Sequence, residues 1–222
     1  ETPDHIKEAA KKALDDNFTH YVPSPGLMEV REVIAEHQSD VHNKNISPEN
    51  VVFTPGAKPI MFFTIMALIE PGDEVIYPNP GFPIYESMIN YVGGKAVPME
   101  LKEEKGFNAD VDLIEQSISD KTKLIILNSP NNPCGSVMES ADMKRVADIA
   151  KEKDIVILTD EVYKDLYFEG SHNSVYDYDG MEENVVILDG FSKSYAMTGW
   201  RLGYGIFPVS YTHLTLPTSQ LV

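Results

Sequence analysis

The stretch Lys123-Leu124-Ile125-Ile126-Leu127 is apolar at every position after the lysine. No other feature narrows the choice of folds as much. A strand with one face in water alternates polar and apolar residues, so a run without a polar position must be covered on both faces. The runs at 51–54, 155–158, 184–188 and 202–207 read the same way, with weaker ones at 74–77 and 95–99. Between them lie helical patterns at 58–69, 82–91, 110–118 and, with Ser140 as its expected cap, up to Lys151. Strands alternating with helices predict an α/β fold with a mainly parallel sheet and helices on both faces. Upstream, Thr2 is expected to cap a helix opened by Pro3, with Ile6, Ala9, Ala10, Ala13 and Leu14 on one face. A second amphipathic helix is expected to turn Leu27, Val30, Val33 and Ile34 inward.

In such sheets ligands bind beyond the carboxyl ends of the strands, so the residues there are the candidates. Gly56-Ala57-Lys58 follows the first strand and opens a helix, whose free amides and dipole suit an anion. An ordinary strand-to-helix turn would look the same. Phe82 stands on a Pro- and Gly-rich loop, where it can stack on a heteroaromatic ring or serve as a core residue. Asn132 lies in a polar loop after the most apolar strand and can donate to a ring oxygen. Asp160 ends the fifth strand and needs a partner there, either a protonated ring nitrogen or the amides of the next turn. Tyr163, three residues on, can reach the same ring oxygen as Asn132.

The last of these stretches runs from Gly190 to Gly203 and holds Ser192, Lys193 and Arg201. A lysine just past a buried strand, among small and apolar neighbours, is expected to be partly desolvated, which favours the neutral amine that attacks carbonyls. An imine-forming lysine with an anion-holding arginine points to a phosphorylated aldehyde as cofactor. Taken alone, the stretch also fits a turn lysine and a salt-bridged arginine.

The net charge of -17 argues against a nucleic-acid partner, which would need clustered Lys and Arg. No apolar run approaches the roughly 20 residues of a membrane span. The six histidines are scattered, so no metal site is expected. The single cysteine, Cys134, excludes an internal disulfide and fits a reducing, cytoplasmic compartment.

In this order and register, Gly56-Ala57, Pro80-Gly81-Phe82, Asn132-Pro133-Cys134-Gly135, Asp160 with Tyr163, Lys193 and Arg201 resemble the class I/II aminotransferases. These are the aspartate-aminotransferase-like branch of the fold type I enzymes that use pyridoxal 5'-phosphate (PLP). The resemblance implies a catalytic set of Lys193, Asp160 and Tyr163, with Lys193 as the Schiff-base lysine and proton carrier. Asp160 would pair with the ring nitrogen, Asn132 and Tyr163 would hold the phenolic oxygen, and Phe82 would stack on the ring. Gly56, Ala57, Lys58, Arg201 and Ser192 would bind the phosphate, Ser192 standing in because Gly190 replaces the serine some members use there. Cys134 stands where the family has a small hydroxyl residue and reads as a tolerated variant.

Tyr21 resembles the tyrosine that reaches the neighbouring subunit's phosphate, which implies a homodimer. The implied reaction moves an amino group from an L-amino acid, aspartate first, to a 2-oxo acid such as 2-oxoglutarate. Aromatic or alanine specificity, a β-lyase, and the PLP-sensing domain of a transcription regulator are the alternatives. The resemblance covers residues 1–208, an N-terminal segment and the large PLP-binding domain. Residues 209–222 carry no charge and resemble translated sequencing-adapter read-through. The family's small domain, with the arginine that clamps the substrate carboxylate, is therefore expected to be missing.

Overall fold

The computed structural model describes residues 1–212. In chain order the elements are α1 (Asp4–Asp15), α2 (Met28–His42), β1 (Val51–Thr54), α3 (Lys58–Leu68), β2 (Glu74–Asn79), α4 (Ile84–Tyr91), β3 (Lys95–Glu100), α5 (Val111–Ser117), β4 (Thr122–Asn128), α6 (Ser140–Lys153), β5 (Val156–Asp160), β6 (Val185–Gly190), β7 (Gly203–Ile206) and α7 (Val209–Thr212). Within the expected tail, 213–222 lie outside the described residues.

The strands form one sheet in the order β1-β7-β6-β5-β4-β2-β3. Pairing is parallel from β3 through β2, β4 and β5 to β6, whereas β7 runs antiparallel to both β6 and β1. The apolar run of β4 explains the layering. Ile125 and Leu127 pack with Met143, Val146 and Ala150 of α6, while Leu124 and Ile126 pack with Ile60, Met61 and Ile65 of α3 and Ile89 of α4. Successive strand residues point to opposite faces, so the run fills two cores at once. Each of these buried Ile, Leu, Val and Met side chains contributes about 1.5–3 kcal/mol relative to exposure.

The strand and helix boundaries expected from the sequence hold to within a few residues. Ser140 is the first residue of α6, not its cap; Glu139 takes the capping position and makes no side-chain cap bond. Both N-terminal helices depart further. Thr2 does not cap α1, where Pro3 takes that position. Its Oγ1 instead donates to Ala196 O at 2.6 Å and accepts from Trp200 Nε1 at 3.1 Å, tying the N-terminus to the loop that carries Lys193.

No residue of α1 is buried, and Leu14 is 65 % exposed. In α2 Ile34 is buried as expected, but Val30 and Val33 face outward, 40 % and 63 % exposed. Its inner face is partly polar because each polar group there has a specific partner. Arg31 Nε donates to Val51 O at 2.9 Å, Gln38 Nε2 donates to the Tyr204 hydroxyl at 2.7 Å, and His42 Nδ1 pairs with Asp177 at 2.6 Å. Apolar spacing marks a stripe on a helix but not the direction that the stripe faces.

Candidate active site

The parallel strands β2, β4, β5 and β6 deliver their carboxyl ends to one edge of the sheet, where β1 also ends. The reversed strand β7 begins there. Gly190 pairs with Gly203 and Gly203 with Thr54, so the loop after β1 and the single loop that joins β6 to β7 converge. A cavity of about 550 Å³ lies at this edge, within the range usual for small-molecule sites. Its lining includes Ala57, Lys58, Phe82, Asn132, Asp160 and Tyr163, and from the long loop Ser192, Lys193 and Arg201.

Two of the expected residues stand apart. Gly56 is buried behind the wall, with a φ of +85°, and a Cβ there would fall on the Arg201 guanidinium. Only glycine lets the arginine lie against this turn. Gly203 has the same kind of constraint, since a Cβ would collide with the backbone of Gly56 and Ala57. Tyr21 is fully exposed and does not line the cavity.

Arg201 adopts a left-handed conformation, and its Nη1 donates to Thr198 O at 2.9 Å. The adjoining helix α3 starts without a side-chain cap, and Pro59 in its first turn has no N–H. The cations Lys58, Lys193 and Arg201 are all exposed at the cavity, with Lys58 Nζ 5.4 Å from the Phe82 ring centroid and Lys193 Nζ 5.4 Å from that of Tyr163. The desolvation expected for Lys193 is therefore not supplied by its neighbours. The lysine lies in the loop beyond the end of β6, not in the buried strand that precedes it.

Asp160 differs from these groups. It is buried, and its Oδ2 accepts from the Tyr85 hydroxyl at 2.5 Å, while Oδ1 has only a long contact, 3.4 Å, from the Val162 amide. Burial raises its carboxyl to about 6, against the lowering effect of the Tyr85 and Val162 donors; the Asp189 and Glu161 charges add to the rise.

Two residues that sequence reasoning missed organise this floor. Tyr85, fully buried on α4, lines the cavity and packs edge-on against Phe82 with centroids 5.8 Å apart. Asn128 donates through Nδ2 to Asp160 O at 3.0 Å and accepts from the Asn132 amide at 2.7 Å, so it binds the β5 end to the Asn132 loop. In the sequence Tyr85 looks like any inward aromatic one turn into a helix. Asn128 had a signal, a polar residue closing an apolar strand.

A family model described as aminotransferase class I and II matches residues 1–212. The chain is 42% identical over 204 residues to a probable aspartate aminotransferase of Methanocaldococcus jannaschii, covering 92% of this chain and 53% of that protein. Among solved structures, the aspartate aminotransferase of Thermus thermophilus with maleate superposes with a TM-score of 0.93 at 36% identity, covering 97% of this chain and 56% of that one. The aromatic aminotransferase of Pyrococcus horikoshii superposes with a TM-score of 0.93 at 39% identity, covering 96% and 57%. The chain thus spans about half the length of the curated relatives it matches.

Proposed function

The chain belongs to the aminotransferase class I and II family, and from that premise we propose that the complete protein transfers the amino group of an L-amino acid to a 2-oxo acid, with PLP as cofactor. Aspartate is the leading amino donor, following the names of the relatives, with a 2-oxo acid such as 2-oxoglutarate as acceptor; an aromatic amino acid is the second donor. One observation carries the reading: a buried carboxylate from the end of β5, and a lysine and a glycine-backed arginine from the single β6–β7 loop, line one cavity at the carboxyl edge of the sheet.

The residues present fit the cofactor. Asp160 Oδ1 has only a weak donor although the carboxylate is buried, so a protonated ring nitrogen would complete it. Gly56 leaves room for a guanidinium at an uncapped helix start, a combination suited to a phosphate. Bound PLP supplies an electron-accepting pyridinium ring that stabilises negative charge at the substrate Cα. Asp160 keeps the ring nitrogen protonated. Asn132 and the Tyr163 hydroxyl hold the phenolic oxygen, and Phe82 packs on the ring face. Ala57, Lys58, Ser192 and Arg201 hold the phosphate, with Gly56 shaping the turn. Lys193 would anchor the cofactor through Nζ and, once released, would carry the proton taken from the substrate Cα.

Residues 1–208 form the N-terminal segment and the large domain in this reading. The apolar residues that α1 and α2 turn outward support pairing with a second copy, with the exposed Tyr21 reaching the neighbouring phosphate site. Among the described residues no helix is long and apolar enough to cross a membrane. The cytoplasmic compartment is proposed on the single cysteine. Borohydride reduction of the complete protein tests the reading and is expected to leave a pyridoxyl group on the peptide carrying Lys193. A label on Lys58 or Lys164 would overturn the assignment. A panel of amino acids, followed by loss of the cofactor's visible band, would identify the donor.

A further inference from the structure

Asp160 has one strong donor. The 2.5 Å bond from the Tyr85 hydroxyl is the short contact; the Val162 amide stands off at 3.4 Å. Among the described residues no lysine or arginine forms an ion pair with this carboxylate. The charges that raise it further are the carboxylates of Asp189 on β6 and Glu161, the next residue along its own chain. Those two have partners of their own, Lys164 for Asp189 at 2.6 Å and His172 for Glu161 at 2.9 Å. The Tyr85 ring also packs edge-on against Phe82, at 5.8 Å and 78°. One fully buried side chain thus touches both the residue assigned to the ring's nitrogen and the residue assigned to its face.

We propose that Tyr85 is a positioning residue, its hydroxyl holding Asp160 through Oδ2 so that the second carboxylate oxygen is kept for the cofactor's ring nitrogen. The inference rests on the role given to Asp160 above.

The plainer reading is that Tyr85 is a core aromatic whose hydroxyl needed somewhere to donate. Relative desolvation costs argue otherwise. Burying an ionised carboxylate costs far more than burying a phenol, so the carboxylate gains more from the bond. Burial and the Asp160 charge also hold the Tyr85 phenol well above its ordinary range, so it remains a protonated donor. With the hydroxyl present, the Asp160 carboxylate is a weaker base and leaves the proton on the ring nitrogen. Without it, Asp160 is a stronger base and draws that proton toward itself.

Tyr85→Phe keeps the ring against Phe82 and removes only the donor. In the complete protein loaded with cofactor labelled with nitrogen-15 in the ring, the wild-type nitrogen signal is expected on the protonated side, short of the fully protonated position. In Tyr85→Phe it is expected to move toward that of neutral pyridine, which a packing defect alone would not cause. The amino-acid half-reaction should slow about tenfold, or about 1.4 kcal/mol, with little change in the amino-acid concentration that half-saturates it.

Should Tyr85→Phe fail to fold, 3-fluorotyrosine at position 85 keeps the shape and strengthens the donor, and the signal should then move further to the protonated side. An unchanged nitrogen signal with an unchanged half-reaction in either variant overturns the inference while leaving the proposed function standing. A wild-type protein that holds no cofactor on Lys193 overturns both.

Discussion

Asp160 and Glu161 are consecutive, buried and both acidic, yet their surroundings send them in opposite directions. Asp160 belongs to the face of the sheet covered by α3 and α4 and is raised to about 6. Glu161 belongs to the other face. Burial alone would raise it too, but His172, with its hydrogen bond and charge, and the Ser174 hydroxyl pull it down to about 2. Its two oxygens take donors from Thr159 at 3.0 Å, Ser174 at 2.6 Å and His172 at 2.9 Å. Burial is common to the pair, so the difference lies in saturation. Glu161 is fully satisfied by its own chain and ties the 161–174 segment down. Asp160 is left short of donors toward a cavity, as expected of a group whose partner arrives from outside.

The largest expected difference is kinetic. In the complete enzyme Asp160→Asn should bind cofactor but slow the half-reaction roughly 100- to 1,000-fold, the usual loss for one preorganised electrostatic group. Glu161→Gln, at a temperature where it is folded, should react at close to the wild-type rate. Stopped-flow measurement of both variants decides the matter, and equal losses would erase the distinction.

Stability should follow the reverse order. In the cofactor-free protein near neutral pH, Glu161→Gln is expected to lose about 1–3 kcal/mol by leaving buried donors unmatched. Asp160→Asn should gain about 1–2 kcal/mol by removing a raised, buried carboxylate. Urea unfolding that showed the same sign for both would contradict the comparison.

The two residues also divide the pH axis. Glu161, ordinarily at 4.5 and lowered to about 2 in the fold, contributes stability above 4.5 that is lost as pH falls through that interval. Asp160, ordinarily at 3.8 and raised to about 6, makes the folded state hold the extra proton, so stability falls as pH rises across that window. Each neutral variant should flatten its own stretch of the stability profile, by at most about 1.4 kcal/mol per pH unit. The smallest effect expected is that of Thr159→Val, which removes one of the donors to Glu161 and should cost about 1 kcal/mol without moving the half-reaction.

The layered fold was legible because strands covered on both faces carry no polar position, and β4 could not be read otherwise. Most of the candidate site was legible only as a set: each polar, Gly- and Pro-rich loop after such a strand also fits an ordinary turn, and their common order and register, resembling one family, singled them out. What escaped depends on distance in space. Tyr85 needs Asp160, 75 residues away, to distinguish it from a core aromatic. Thr2 has the composition of a helix cap but meets Ala196 and Trp200 instead. The outward stripes of α1 and α2 have the same spacing as inward ones. The exposure of Lys193 reflects what covers a loop, which neighbours in sequence do not determine.

The reversal of β7 has a further consequence. Residues 191–202 leave the sheet at Gly190 and return at Gly203, its paired neighbour. Lys193 and Arg201 therefore ride on a single excursion, a detour between two strands that already touch. Its length and contents can drift without disturbing any other register in the sheet. Such a segment is a cassette in the topology of the sheet, and the Gly56 turn and Thr2 tie its contents to more distant parts of the chain.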